Sequence, residues 1–550
     1  MENFSTCKRD ALIEELSKKK FDVLIFGGGI TGVGIALDAV TRGLDVALIE
    51  QKDFASGTSS RSTKLIHGGL RYLNQLQFCF VSKLGRERRI IQSIAQNNVI
   101  PTPVLLPIYK RGLLKKTRSA FGLRVYDYLA NVKKEYKSRW INRDELIKRC
   151  SILETDKLRG AFLYYEFKTN DGRLVIEALK KSAEHGALCL NYAEPSELLM
   201  NNDYVSGATI KDLKKEIKFD IDAKMVINAT GVWCQKFMQQ FNLKLPKDLY
   251  PTKGVHIALT KEKVPINEAF YIDTEDKRLI FVIPRQKHVY VGTTDTKYDS
   301  DYRKPTVTKK EAEYLLSAVN LKFPKLDIKY EDIVSCWAGI RPLIKDKRIN
   351  PGEISRRDEL FLAENGLLTI TGGKLTGYRL MAEKVVDNVL VYLNKDDVKS
   401  KTAHIKLSGS EWDTLFAKGQ LIEQADHAFD EAKQTGITPE EFKTLFYRYG
   451  KNIQIITEKA YEIRSNESNP ETIWLKAELW YCVNYEMLND LADFYMIRTE
   501  MVLFDFQKME KQKTEALNYL SELLNWSENE KENARNKLEK DWKNYKTPME

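Results

Sequence analysis

The spacing of apolar and polar positions divides the chain into three regimes. Near the start, Phe21-Asp-Val-Leu-Ile-Phe26 is a short, almost unbroken apolar run, the pattern of a strand buried on both faces of a parallel sheet. A helix-like segment then runs to Arg42, Gly43 stops it, and Asp45-Val-Ala-Leu-Ile-Glu50 reads as a second strand. From about residue 246 to 335 the apolar segments shorten and alternate, as in Leu279-Ile-Phe-Val-Ile283 and Val289-Tyr-Val-Gly292, which predicts antiparallel pairing. Past about residue 400 the period becomes helical. There Thr438-Pro-Glu-Glu441 supplies an N-cap, a first-turn proline and an acid, and Gly450 ends that helix. The tail from Trp526 to Glu550 is mostly charged and is expected to cover little.

Chemistry enters between the first strand and the first helix. Gly27-Gly28-Gly29-Ile30-Thr31-Gly32 fits G-x-G-x-x-G, and a diphosphate can sit against backbone N–H groups and a helix N-terminus only where side chains do not intervene. Glu50, 18 residues after Gly32, stands where a carboxylate accepts the hydroxyls of an adenosine ribose. Such glycines alone are a weak signal, but strand, glycines, helix, strand and acid occur here in order. Val226-Ile-Asn-Ala-Thr-Gly231 adds a second apolar strand ending in a turn that lets backbone approach a dinucleotide.

Composition narrows the class. The chain has 550 residues, too many for one core, and three domains are expected. No stretch reaches the roughly 18 unbroken apolar residues of a membrane-spanning helix. Residues 1–20 lack the apolar core of a secretory signal, so a cytoplasmic location is expected. Seven dispersed cysteines without a C-x-x-C pair argue against disulfides, zinc and iron–sulfur clusters. They read as reduced, mostly buried thiols. The net charge of +10 favours anionic partners, but no recognised nucleic-acid motif accompanies it.

The segment Asp53-Phe-Ala-Ser-Gly-Thr-Ser-Ser-Arg-Ser-Thr-Lys-Leu-Ile-His-Gly-Gly-Leu-Arg-Tyr-Leu73 is dense in small hydroxyl residues before a histidine, two glycines and an arginine. Hydroxyls at Ser56 to Ser60 suit phosphate or ring oxygens, and Gly68-Gly69 lets a planar ring lie against backbone. This string closely resembles the signature of the FAD-dependent glycerol-3-phosphate dehydrogenases, a branch of the flavoenzymes that include D-amino-acid oxidase. The resemblance continues through Thr252-Lys-Gly-Val-His256, Val291-Gly-Thr-Thr-Asp295, Trp337-Ala-Gly-Ile-Arg-Pro342, Ile354-Ser-Arg-Arg-Asp358 and Gly372-Gly-Lys-Leu-Thr-Gly-Tyr-Arg379. A looser likeness covers Ala477 to Glu486 and Asp493 to Thr499.

The resemblance implies an α/β protein, α+β overall, in three parts. A Rossmann-like FAD-binding domain takes residues 21–95, 155–245 and 336–395, an antiparallel-sheet substrate domain 96–154 and 246–335, and an all-helical C-terminal domain 400–550. It implies non-covalent FAD held by Gly27, Gly29, Gly32, Glu50, Thr58, Ser59, Ser62, Lys64, Gly231, Gly373, Leu375 and Thr376. An isolated Cys234 gives no ground for a covalent flavin. His67, His256 and Arg341 are implied catalytic residues, and which one takes the hydroxyl proton stays open. Arg71, Tyr72, Arg357 and Lys374 are implied binders of the glycerol 3-phosphate dianion, and no metal is expected.

The implied reaction is oxidation of glycerol 3-phosphate to dihydroxyacetone phosphate with electrons passed to a membrane quinone. Ten Lys or Arg residues between Tyr109 and Arg139, interrupted by Leu113, Leu114, Phe121 and Leu123, suit peripheral contact with an anionic membrane, in balance with an ordinary solvated face. A homodimer is carried as an expectation. Two other readings stay open: an oxidase that donates electrons to oxygen, disfavoured because no inserted segment is visible, and a non-catalytic flavin-binding sensor or scaffold.

Overall fold

A computed structural model of the chain describes residues 4–69, 77–110, 116–345, 358–413, 419–546 and 548. The apolar run of the first strand, Lys20–Phe26, sits mid-sheet. Five parallel strands run in the order Leu368–Gly372, Lys218–Asn228, Lys20–Phe26, Val46–Ile49 and Leu188–Leu190. Helix Ile30–Thr41 packs beside Asp171–Glu184 and Tyr378–Tyr392. Covering by helices is why these strands read as continuous apolar runs rather than alternations. Asp358–Leu362 closes one edge antiparallel, and the hairpin Ala193–Asn201 with Tyr204–Asp212 extends from Lys218–Asn228.

The second sheet is mostly antiparallel. Its central strand Leu249–Thr260 pairs with Ile333–Ile344 on one side and His288–Gly292 on the other. Beyond these come Leu279–Arg285, Ala269–Asp273, Val99–Tyr109, Leu158–Thr169 and the short Leu65–Ile66. Two sequence-drawn boundaries need correction. Leu158–Thr169 was expected within the FAD domain and Ile333–Ile344 was divided by the boundary at residue 336, yet both are strands of this sheet. Each is an apolar run that enters the sheet and then delivers the chain to the dinucleotide domain, so the crossover lies at the strand's end, where no residue type marks it.

The C-terminal part is helical among its described residues, including Pro439–Tyr449 with Thr438 capping through Glu441 N–H and Gly450 at the end. The tail does not lie loosely, contrary to expectation. Helix Glu528–Lys546 is charged overall but buries Ala534, Leu538, Trp542 and Tyr545. These residues recur at helical spacing and form one stripe against the body of the protein.

Buried charges couple the C-terminal part to the FAD domain. Glu486 accepts both terminal nitrogens of Arg173 at 2.7 and 2.8 Å, while Arg498 pairs with Asp53 and with Glu486. Glu478 pairs with Arg448. Removing one member of the Arg173, Glu486, Arg498 and Asp53 set would leave an uncompensated charge, which makes that set an interdomain lock, whereas Glu478–Arg448 lies within the C-terminal part.

Asp493 lies in the same region, taking a hydrogen bond from the Tyr192 hydroxyl. Burial, then the Asp53 charge, pushes its carboxyl up to about 7, opposed by Lys537 and raised again by Asp490. The folded state therefore keeps a proton that the unfolded chain, with a value of 3.8, releases earlier. That contribution to stability is complete below the unfolded value and is lost as pH rises through about 7. The Asp493→Asn variant should lose this slope. Its thermal midpoint relative to the parent should rise between about pH 5.5 and about pH 8; an equal offset at both would disprove the assignment.

Candidate active site

A cavity of about 450 Å³ runs from the first glycine turn across to the second sheet. Its dinucleotide end is made by backbone packed too tightly for side chains. Gly27 has φ of +112°, and a Cβ there would stand 2.6 Å from the Ala229 carbonyl oxygen. A Cβ on Gly32 would stand 1.9 Å from the Gly27 carbonyl oxygen, so Gly32 is behind the cavity, letting the helix approach the turn. Gly28 N–H donates to Glu50 at 2.6 Å, and the Ile30 N–H at the start of the helix donates to Ser59 at 3.0 Å. N–H groups at such a terminus that are not already taken by side chains can bind phosphate.

The other expected cofactor residues divide by position. Gly29, Glu50, Thr58, Ser59, Ser62, Gly231, Gly373, Leu375 and Thr376 line the cavity with Gly27. The Thr58 hydroxyl donates to the Ile340 carbonyl at 2.6 Å, and Ser62 donates to Asp171 through both backbone and hydroxyl, fastening the loop to strand Ile333–Ile344 and to helix Asp171–Glu184. Thr376 donates to the His67 carbonyl and accepts from its N–H, at 3.1 and 3.2 Å. Lys64 does not reach the cavity. Its ammonium lies buried between Asp171 and Glu500 at 2.7 and 2.6 Å. Burial pulls it down, but those carboxylates more than reverse this, leaving its pKa raised. A lysine so enclosed needs such partners, and neither can be inferred from the signature segment.

The opposite end is set by strand register. His256 faces Trp337, Gly254 faces Gly339, and Thr252 faces Arg341 across adjacent strands. The period of two puts these on one sheet face. The glycines make space: a Cβ on Gly254 would meet the Arg341 guanidinium at 2.3 Å, and one on Gly292 would meet the His256 ring at 2.1 Å. Arg341 donates to the Thr293 hydroxyl at 3.0 Å and to Asp295 at 3.2 Å.

His256 is 1% exposed, stacks on Trp337 at 4.7 Å, and makes a 3.0 Å hydrogen bond to the Thr63 hydroxyl through Nε2. Burial, followed by the charges of Arg341 and Lys64, holds its pKa well below the usual imidazole range, so the ring is neutral. His67 and Lys374 line the same cavity, and His67 is half-buried rather than enclosed. Arg71, Tyr72 and Arg357 lie outside the described residues.

Sequence reasoning missed Lys52, Arg61, Thr63 and Arg303, all on the cavity wall. Arg61 and Thr63 stood inside the signature segment and were passed over among its hydroxyls, whereas nothing in the chain around Arg303 pointed to a ligand. Cys234 is buried, which pushes its thiol up to about 11. A glycine turn free of side chains, the Glu50 carboxylate and two histidines that share a cavity with Arg341 and Lys374 have the chemistry to hold a dinucleotide and a small anion at its far end.

The comparisons with known proteins agree along the whole length. Residues 22–379 match the family of FAD-dependent oxidoreductases, and residues 400–531 match the C-terminal domain of alpha-glycerophosphate oxidase. The aerobic glycerol-3-phosphate dehydrogenase of Bacillus subtilis is 37% identical over 98% of this chain and 97% of its own. The chain belongs to the aerobic glycerol-3-phosphate dehydrogenase family of FAD-dependent oxidoreductases.

Its relative of the same name in Staphylococcus epidermidis is 41% identical over 96% of both chains. The structure of a glycerol-3-phosphate dehydrogenase from Bacillus halodurans complexed with FAD superposes with a TM-score of 0.85 at 34% identity, covering 100% of this chain and 99% of that one. FAD is accordingly the cofactor of this family member, and the glycine cradle fits it: side chains are excluded where backbone must meet a diphosphate. Among the described residues no helix is long and apolar enough to cross a membrane.

Proposed function

We propose that the protein oxidises sn-glycerol 3-phosphate to dihydroxyacetone phosphate and passes the electrons to a membrane quinone. The observation that carries this reading is the convergence of Arg341, Lys374, His67 and His256 on the cavity that begins at the FAD cradle. When bound in the glycine cradle, FAD would supply the hydride acceptor at flavin N5. The chain's own groups do the rest. Arg341 and Lys374 hold the phosphate dianion or the reacting oxygen by charge-assisted hydrogen bonds. As C2 loses its hydride, the hydroxyl proton must leave to a base. Of the two imidazoles, His67 suits that role better, being partly open to the cavity while His256 is enclosed with Nε2 on Thr63. His256 then acts as a neutral wall that shapes the site. Arg71, Tyr72 and Arg357 belong to the same proposal as further anion binders.

The basic face is the proposed membrane contact. Helix Lys116–Leu129 leaves Phe121 69% and Tyr128 85% exposed among Lys116, Arg118 and Arg124, an aromatic and cationic mixture suited to an anionic headgroup layer.

Anaerobic mixing with glycerol 3-phosphate should bleach the flavin absorbance, and a quinone analogue should restore it faster than air. An unbleached spectrum with FAD confirmed present defeats the substrate reading. Faster recovery in air favours the oxidase. Flotation of the same preparation with anionic vesicles at low salt tests the membrane face, and failure to float removes it.

A further inference from the structure

The segment that carries His67 is backed by a buried polar cluster with no role so far. Arg88 of helix Phe78–Ile94, Tyr126 of helix Lys116–Leu129 and Glu166 of strand Leu158–Thr169 meet there, each no more than 2% exposed. Leu123 and Tyr126 are buried three apart on their helix, and so share a face. Gly85 lets the end of that helix come close, because a Cβ there would stand 2.4 Å from the Ala130 Cβ.

The Tyr126 hydroxyl joins the cluster to the loop. The Gly68 N–H donates to it at 3.2 Å and Arg88 at 2.7 Å, while Glu166 lies 3.1 Å away. A backbone amide and a guanidinium can only donate, so the phenol oxygen accepts both and its one proton goes to Glu166. Arg88 in turn donates to Glu166 at 2.7 Å and to the Tyr165 carbonyl at 2.8 Å. Both lone pairs and the proton of the hydroxyl are committed, which fixes its place.

What it holds is the peptide that follows His67. In that planar unit the His67 carbonyl accepts from the Thr376 hydroxyl at 3.1 Å, and the Gly68 N–H donates to Tyr126. With the plane gripped at both ends, rotation about the His67 Cα–C bond stops, and with it the swing of the imidazole. His67 and Thr376 line the cavity, whereas Gly68 and Tyr126 stand behind the lining. Space is tight there: a Cβ on Gly68 would stand 2.3 Å from the Tyr126 hydroxyl oxygen.

We propose that Tyr126 is a positioning residue for the reaction: through the Gly68 N–H it fixes the direction in which His67 meets the substrate hydroxyl. The inference rests on the reading of His67 as the proton acceptor. Misdirecting such a group costs rate without removing any contact to substrate.

The test is anaerobic flavin reduction by glycerol 3-phosphate in the full-length holoprotein, with Tyr126→Phe made in the parent and in His67→Asn. Phenylalanine keeps the ring and removes only the hydroxyl. In the parent it should slow reduction about five- to fiftyfold, with flavin content and the substrate concentration for half-maximal rate within about twofold. In His67→Asn it should slow reduction less than about twofold further, since the group it directs is gone. Gly68→Ala attacks the same contact from the other side and should also be slow. Ser82→Ala breaks a hydrogen bond of 3.3 Å from Ser82 to the Leu129 carbonyl, between the same two helices but away from the loop, and should reduce at the parent rate. Parent-like reduction in Tyr126→Phe, equal slowing in both backgrounds, or equal slowing in Ser82→Ala overturns the proposal while a slow His67→Asn leaves the base assignment standing. A fast His67→Asn overturns that assignment and this inference with it.

Discussion

The His67→Asn variant should reduce its flavin by glycerol 3-phosphate about 10²- to 10⁴-fold more slowly than the parent, the range lost with a general base, and should remain yellow. Asn keeps the approximate bulk and a polar tip but cannot take the proton. The backbone clasp between His67 and Thr376 does not involve the imidazole, so the loop should persist. Anaerobic stopped-flow absorbance measures the step directly. A reduction rate within about threefold of the parent would assign the proton to another group, with His256 next in line despite its enclosure. Parallel loss of FAD would show that His67 acts in cofactor binding instead.

The second large effect concerns a single methyl group. Gly32→Ala should yield a folded but colourless protein whose FAD affinity is lower by roughly 10²-fold or more. The added Cβ would stand 1.9 Å from the Gly27 carbonyl oxygen, closer than any non-bonded approach. The helix must then retreat, taking its N–H groups away from the phosphate position. Gly43→Ala provides the contrast. Its φ is +85°, but nothing lies within 4 Å of the new atom, so only the backbone conformation costs about 1 kcal/mol. Flavin content after purification and refolding with excess FAD separates the two. Full FAD occupancy in Gly32→Ala would mean that the turn adapts and that the cradle is less rigid than its packing implies.

The legible features were those encoded within a few neighbouring residues. Strand, glycine turn and helix between Lys20 and Thr41 obey local rules: a two-face-buried strand must be apolar, and a turn that meets backbone must lack side chains. The cap at Thr438 is equally local. The tail was misjudged because a helix with charge on most of its circumference can still bury one stripe, and the partner surface for Trp542 and Tyr545 comes from residues such as Phe506 and Trp337 elsewhere in the chain. Lys64 illustrates the same limit. In the chain it is a cation in a ligand-like loop, whereas Asp171 and Glu500, 107 and 436 positions away, make it an internal ion-pair partner.

Two kinds of information are thus separated by range. The order of residues alone carried the dinucleotide fingerprint, the short apolar strands of the second sheet, the helical end and the resemblance of the signature segment, because each depends on periodicity or on contacts between near neighbours. Folding alone could bring Arg341, Lys374 and the two histidines to one cavity, enclose His256 while leaving His67 half-buried, and seat the last helix against strand Ile333–Ile344. Those outcomes depend on strand register and on charge pairing across hundreds of residues, and a one-residue change of register would turn His256 to the opposite face without altering any local pattern.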